Sequence, residues 1–511
     1  MTTSTPPPRA VTPAVAPIAS PVVAPPLATR LPPGLWLLLG VLLNAAVGMR
    51  WNMAELAWVA AVPWLIHLRQ TSGWRARAWL FAALQLATVI QVSKIISAPV
   101  PWIFAPLFSV PMAFSMALGL FGFEFLRRRL GDGWGLALFP AIVVVLEWAG
   151  SSASEFGSWG AAAYTQINNL PLLQTTALVG LSGIALLTAA VSAWTALVLS
   201  SPEPRRWLLT GGVIGCLVLA ALAYGSIRIF TVQTGPLVTV AGVVSDLVLS
   251  PGKFPDATAV QTNDDQLFAR TALAVRRGAR LVVWNEGATL TTPANEAALV
   301  ARGLRVAKQS GVDLVLAYVV PTNDAGTRFE NKFTWLAPEG VIETYHKRHP
   351  VPGEGATPGD HPGVVHHRPY GAVAGAICYD YDFPGLGLAH ARAGAGLVVV
   401  PSSDWLGIDP YHTQMARIRG IEGGFSVVRP VRAATSGAYD AYGRTRATLS
   451  WFEDNDRVLL AQVPVAPVMT VYARIGDSLA WLCLAVLLGG IGLALGQTVS
   501  DTSSFLFPHA H

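Results

Sequence analysis

From Leu35 to about Ile229 the chain is a succession of apolar runs, each near the roughly 20 residues that an α-helix needs to cross a bilayer. The runs predict spans at 34–50, 52–69, 76–97, 103–126, 134–150, 171–200 and 207–228, with an eighth near 477–497. Composition agrees: among 511 residues, 52% are apolar and only 13% charged, at a mean hydropathy of +0.46, which is the profile of an integral membrane protein. The net charge of +5 comes without any basic and aromatic interleaving, so no nucleic-acid partner is expected. Basic residues cluster after alternate spans: Arg69, Arg75 and Arg77, then Arg127, Arg128 and Arg129, then Arg205 and Arg206, while the 151–170 loop has none. Lys and Arg mark cytoplasmic loops, so both termini are expected in the cytoplasm and everything between spans seven and eight outside it.

Residues 1–33 are rich in Pro, Ala, Val and Thr without helical or strand period, and read as a disordered cytoplasmic tail rather than a signal peptide. Residues 498–511 read as a second cytoplasmic tail. Texture changes at about residue 236. From there to about 467, apolar strand-like runs (LVTVAGVV, ARLVVWNE, DLVLAYVV, AVAGAICY, GLVVVPSS) alternate with helix-like segments such as NEAALVARGLRVAKQSG, while NKFTWLAPEG and VIETYHK read as an antiparallel hairpin. The expected architecture is a membrane helical bundle of seven spans over 34–230, a layered α/β domain with mixed sheets over 236–467, and a final span.

Three polar residues stand where apolar strands end, which is where α/β folds build sites. Glu286 closes ARLVVWNE, Lys347 closes VIETYHK and Cys378 closes AVAGAIC. Of the three cysteines, Cys216 and Cys483 fall in predicted spans, so Cys378 has no disulfide partner in its own domain and is either a small buried hydrophobe or a reactive thiol. A carboxylate, an ammonium and a thiol together suit acyl transfer: the carboxylate removes the thiol proton, the thiolate attacks a carbonyl, and the ammonium stabilises thiolate and oxyanion. Taken singly, Glu286 could equally be a solvated turn residue and Lys347 part of an exposed basic run.

Cys378 in ICYDYDFP, Lys347 in YHKRHPVPGEG and Glu286 in WNEGA resemble the Glu-Lys-Cys triad of the nitrilase superfamily. More fully, residues 34–497 resemble the bacterial apolipoprotein N-acyltransferases, in which a nitrilase-like domain precedes the last span of a membrane bundle. That resemblance extends to EWAGSSASEFGSWGAAAYTQINNLPLLQ, SSDWLG, QMARIRGIEGG and TVYARIGD. It implies an αββα sandwich, with Glu286 as base, Lys347 as oxyanion-stabilising cation and Cys378 as nucleophile. Glu354 resembles a second carboxylate that orients the lysine, and Tyr379 and Asp380 resemble residues lining the acyl pocket. Trp405 would be a lid aromatic, and Trp159 and Gln166 would face the site from the membrane loop; for the tryptophans the alternative is an interfacial aromatic belt. The chain departs from the family pattern at Asn285, at Asp380, in a shortened 350–354 loop, in a contracted Asp404–Leu406 stretch and at Val243–Asp246.

The implied activity moves an acyl chain from a phospholipid, through a Cys378 thioester, to the α-amine of a diacylglyceryl-cysteine lipoprotein at the outer face of the bacterial inner membrane. Phospholipid, diacylated apolipoprotein and the bilayer are the expected partners, and no cofactor is implied. Alternatives are a membrane-anchored amidase that resolves the thioester with water, and a silent paralogue that binds lipid or lipoprotein. His346, His349, His361, His366 and His367 crowd one stretch, but their spacing fits no familiar zinc pattern, so no metal site is expected. Glu147, near the end of span five, reads as structural.

Overall fold

In a computed structural model the protein is described over residues 26–231, 235–249, 252 and 254–506, with side chains to residue 497. Most of the expected N-terminal tail therefore lies outside the described residues. Six helices there are long and apolar enough to cross a membrane: Trp74–Ser93, Phe104–Leu130, Asp132–Ala153, Ser182–Ser200, Pro204–Ile229 and Ser478–Gln497. The first two predicted spans take another form, a 14-residue helix Pro33–Ala46 and a 9-residue helix Val62–Gln70. Between them the chain leaves helical geometry, with Gly48, Met49 and Trp51 at φ of 71°, 55° and 53°. Asn52 explains part of this: its side chain accepts from Gly48 N at 2.8 Å and donates to the Thr165 carbonyl at 2.6 Å, tying the segment to the 151–170 loop.

The predicted span 171–200 is also interrupted. Two single-turn helices, Leu170–Leu173 and Thr176–Val179, precede Ser182–Ser200, and Gly180 makes the break at φ 67°, with the Tyr472 ring packed where a Cβ would stand. The final helix continues to Leu506, through most of the stretch expected as a tail. It returns to the bundle through small residues, Ala480 and Cys483 packing with Ala141, Val144 and Ala185. Lipid tails are as apolar as leucine, so close approach through small side chains, not hydrophobic exclusion, drives such packing.

The α/β domain is a sandwich of two mixed sheets. One runs in the order Val458–Pro464, Leu237–Val243, Leu281–Trp284, Asp313–Pro321, Phe329–Ala337 and Gly340–His346; the other runs Thr445–Ser450, Thr435–Tyr439, Ser426–Arg429, Leu397–Val399, Gly371–Gly375 and His366–Arg368. The expected hairpin is there, Phe329–Ala337 pairing antiparallel with Gly340–His346. Strand residues alternate between two cores, as a period of two requires. Leu397 and Val399 join Val283, Phe333 and Trp335 between the sheets, while Val398 and Val400 pack outward with Leu386 and Ala416 of the helices Pro384–Arg392 and Tyr411–Gly423. Ala257–Arg276 and Glu296–Ser310 cover the outer face of the first sheet, completing the αββα order.

Candidate active site

Strand ends from both sheets meet at one place. Glu286 lies two residues beyond Leu281–Trp284, Lys347 follows Gly340–His346 directly, and Cys378 stands three residues past Gly371–Gly375. Cys378 holds φ at 47°, a left-handed backbone that costs a non-glycine residue about 1–3 kcal/mol and clusters at functional sites. All three side chains are buried, yet all line one cavity of about 1170 Å³.

Lys347 Nζ donates to Glu286 Oε1 at 2.8 Å and to Glu354 Oε2 at 2.7 Å. Asn331 Nδ2 ties the two carboxylates together, donating to Glu286 Oε1 at 2.8 Å and Glu354 Oε1 at 3.0 Å. Burial alone would lower the Lys347 ammonium, but Glu286 and Glu354 outweigh it and hold it well above the ordinary lysine range. The Cys378 thiol goes the same way for different reasons: burial first, then Glu286 and Asp404, push it well above its usual value against the pull of Lys347 and Arg429. At rest the thiol is therefore protonated. A thiolate has to be made by proton removal as the reaction proceeds, which is the task of a base at this position.

A second polar cluster backs the sulfur. Arg429 Nη2 stands 3.8 Å from Cys378 Sγ and donates to Asp404 Oδ1 at 3.0 Å, while Nη1 donates to Asp404 Oδ2 at 2.9 Å. His412 lies between two carboxylates, Nδ1 2.9 Å from Asp404 Oδ1 and Nε2 3.0 Å from Asp382 Oδ2. Burial and the Arg429 guanidinium, whose Nη2 lies 2.9 Å from Nδ1, oppose its charge, but Asp382 and Asp404 prevail and raise it to about 9. Asp404, which burial would raise, is held well below the usual carboxylate range by Arg429 and His412. Cys378, Asp404 and His412 offer donor atoms within 4.8 Å of one another, a set a thiophilic metal could use, but the Arg429 guanidinium already occupies the Asp404 oxygens. The crowded histidines do not converge: His349 stacks on Phe383 and His366 pairs with Glu343.

Of the further residues singled out in the sequence, Glu354, Tyr379, Trp405 and Trp159 line the cavity. Trp159 Nε1 donates to Asp382 Oδ2 at 2.7 Å, Tyr379 Oη to the Glu155 carbonyl at 2.9 Å, and Trp405 Nε1 to the Ile95 carbonyl at 2.8 Å, so each joins the α/β domain to the membrane bundle. Asp380 and Gln166 stand elsewhere. Asp380 lines no part of this cavity; fully buried, it accepts from Tyr345 Oη at 2.8 Å, His349 N at 2.7 Å and Ile377 N at 3.1 Å, fixing the turn that presents Cys378. Gln166 does not face the site either, since its amide is spent on the Ala54 carbonyl at 2.8 Å. Glu147 accepts from Ala162 N at 3.0 Å and so braces the loop, and it also lines the cavity. Asn331, Arg429 and His412 were not singled out in the sequence. Arg429 ends the strand SVVR and obeys the same strand-end rule as the others.

The far wall of the cavity is apolar and belongs to the membrane helices, with Phe104, Met112, Leu120, Phe139, Ile142 and Leu146. The sandwich belongs to the nitrilase-like class, and residues 242–471 match the family model for carbon-nitrogen hydrolase. Residues 39–194 match the model for the apolipoprotein N-acyltransferase N-terminal domain. The chain is thus a multi-pass membrane protein of the apolipoprotein N-acyltransferase family. An apolipoprotein N-acyltransferase of Bradyrhizobium diazoefficiens is 29% identical over 68% of this chain and 72% of that protein. One of Geobacter metallireducens is 25% identical over 85% of this chain and 90% of that protein. Among solved structures, an amidase from Nesterenkonia sp. matches 48% of this chain and 97% of its own at 19% identity and a TM-score of 0.39.

Proposed function

We propose that the protein transfers an acyl chain from a phospholipid to the N-terminal α-amine of a diacylglyceryl-cysteine lipoprotein by way of a thioester on Cys378. The carrying observation is the single cavity that has Glu286, Lys347 and Cys378 at one end and membrane-helix side chains at the other. Both substrates can keep their chains in apolar surroundings while their reacting groups meet the sulfur. Withdrawing a chain into water would cost about 0.8 kcal/mol per methylene.

In the first half-reaction Glu286 takes the Cys378 proton as sulfur attacks the ester carbonyl, and Lys347 stabilises the oxyanion. The carbon–oxygen bond then breaks, Glu286 returns the proton to the leaving alkoxide, and lysophospholipid departs. In the second, the acceptor amine attacks the thioester carbonyl, its proton passes to Glu286, and the expelled thiolate takes that proton back. Glu354 and Asn331 hold Lys347 and Glu286 in place, and Trp405 closes the cavity wall. In this reading residues 34–230 and 477–497 form the membrane unit and 236–467 the catalytic unit on the periplasmic side of the inner membrane. The basic ends of the bundle, where Arg69 and Arg127 converge on Asp132 at 2.7 and 2.8 Å, support that orientation. Mass spectrometry of lipoprotein N-termini tests the proposal: cells with the protein should carry a third, amide-linked chain that cells with only a Cys378→Ala version lack. Triacylated lipoproteins in both, or free fatty acid released in place of transfer, would refute it.

A further inference from the structure

Two Lys or Arg side chains line the reactive cavity among the described residues, Lys347 and Arg432. They differ in how their charge is met. Lys347 is enclosed by two carboxylates. Arg432 is half-buried, and among the described residues no carboxylate lies within ion-pairing distance of it. Its Nε and Nη2 both donate to one hydroxyl, Ser403 Oγ, at 3.1 and 2.7 Å, leaving Nη1 without an acceptor among the described residues. Burial lowers its pKa, with only the more distant charges of Glu286 and Asp404 acting the other way.

Removing a guanidinium partly from water without an anion is unfavourable unless something repays it. The local backbone makes the placement deliberate. Val431–Arg432 pairs with Ser402–Ser403, and the next residue, Ala433, is held at φ 56°, a left-handed conformation that alanine adopts only under constraint. That turn brings both Arg432 and Ala433 to the cavity wall. Ser403 also fixes the position relative to the chemistry, since its carbonyl oxygen lies 3.9 Å from Cys378 Sγ. The free guanidinium edge is therefore held one residue away from the nucleophile.

A planar guanidinium with a free edge matches the two non-bridging oxygens of a phosphodiester. In a glycerophospholipid only the glycerol carbons separate the ester carbonyls from the phosphate, so an ester placed at Sγ brings the phosphate within a few bonds of it. We propose that Arg432 binds the phosphate of the phospholipid donor and so places the donor's ester carbonyl at Cys378. This rests on the phospholipid-donor reading above and adds a recognition element to it. The acceptor has no phosphate, so Arg432 selects for the first half-reaction and meets the anionic lysophospholipid as it leaves.

The test uses the full-length protein in detergent micelles and two donors with the same ester, dioleoyl phosphatidylethanolamine and dioleoylglycerol, with acyl-enzyme followed by intact mass. Wild type should favour the phospholipid, and Arg432→Gln should shrink the ratio of kcat/KM for the two donors by about tenfold or more, mainly through KM, as expected for losing a charged hydrogen-bond pair. Arg432→Lys, which keeps the charge but not the fork, should retain part of the preference. If the preference survives in Arg432→Gln, or if both donors fall in parallel, the proposal is overturned while the donor reading stands. If wild type is acylated equally by both, this proposal is overturned while the donor reading stands; if it is acylated by neither, the donor reading fails and this proposal with it. Inorganic phosphate should leave the dioleoylglycerol rate unaltered; a rate change in wild type that Arg432→Gln lacks would assign the site to free phosphate and overturn the headgroup assignment.

Discussion

Lys347 shows what burial does to a charge that a reaction needs. With two carboxylates against it, the ammonium is held in its charged form, so in the proposed reaction its use is electrostatic. Lys347→Met should slow acylation of Cys378 by about a hundredfold or more, the cost of removing one oxyanion donor, read in single-turnover acylation followed by intact mass. Normal acyl-enzyme formation in that variant would contradict the role given to Lys347. Asn331→Ala should lower kcat more than it raises KM, because Asn331 orients the carboxylates of Glu286 and Glu354. His412 carries a pH signature. Its pKa is raised from 6.5 to about 9 in the folded protein, so its contribution to stability is complete below about pH 6.5 and is lost as pH rises through about 9. Thermal denaturation between pH 6 and 10 should show an alkaline loss of up to about 3 kcal/mol that His412→Gln flattens.

At the scale of elements, the strand-end rule placed Glu286, Lys347 and Cys378 because a buried strand leaves only its end open to a site. Asn331 escaped that reading for a specific reason. Counting back from the tight turn, where Ala337 faces Gly340, pairs residue 331 with 346; a bulge between Trp335 and Leu336 shifts the register so that Lys332 faces His346 and Asn331 stands beside Lys347. One residue of slip moves a side chain to the opposite face, and no local signal in FENKFTWLA marks the bulge. Arg429 could have been found by the rule already in use. The Asp382–His412–Asp404 row could not, since its members come from separate elements that meet only in the folded sandwich. The span count suffered similarly: apolar content up to residue 69 says nothing of the left-handed turns at Met49 and Trp51 that leave two short helices there. Packing within the bundle is testable at Gly225, where a Cβ would lie 1.7 Å from the Pro171 carbonyl oxygen. Gly225→Ala should destabilise the protein by about 1–3 kcal/mol through forced backbone movement, seen as a lower midpoint of thermal unfolding in detergent.

For the whole molecule, the important fact is continuity between the two units. Trp159, Tyr379 and Trp405 each cross from one to the other by a hydrogen bond, and the space they surround is continuous from Cys378 to the membrane helices. A soluble nitrilase-like domain has no reason to share its cavity with Phe104, Met112 or Leu146; a domain whose substrates are lipids does. Trp405→Ala, which opens that wall and frees the Ile95 carbonyl, should raise KM for phospholipid more than it lowers kcat, measured with vesicle-presented donor. The central claim is that Cys378 takes the acyl chain directly from a phospholipid. Intact-mass analysis of the purified protein after incubation with phospholipid vesicles, without acceptor, tests it most directly. The account predicts an added mass of one acyl chain, released by neutral hydroxylamine and absent from Cys378→Ala; an unmodified wild-type protein, or an acyl chain that persists in Cys378→Ala, would contradict it.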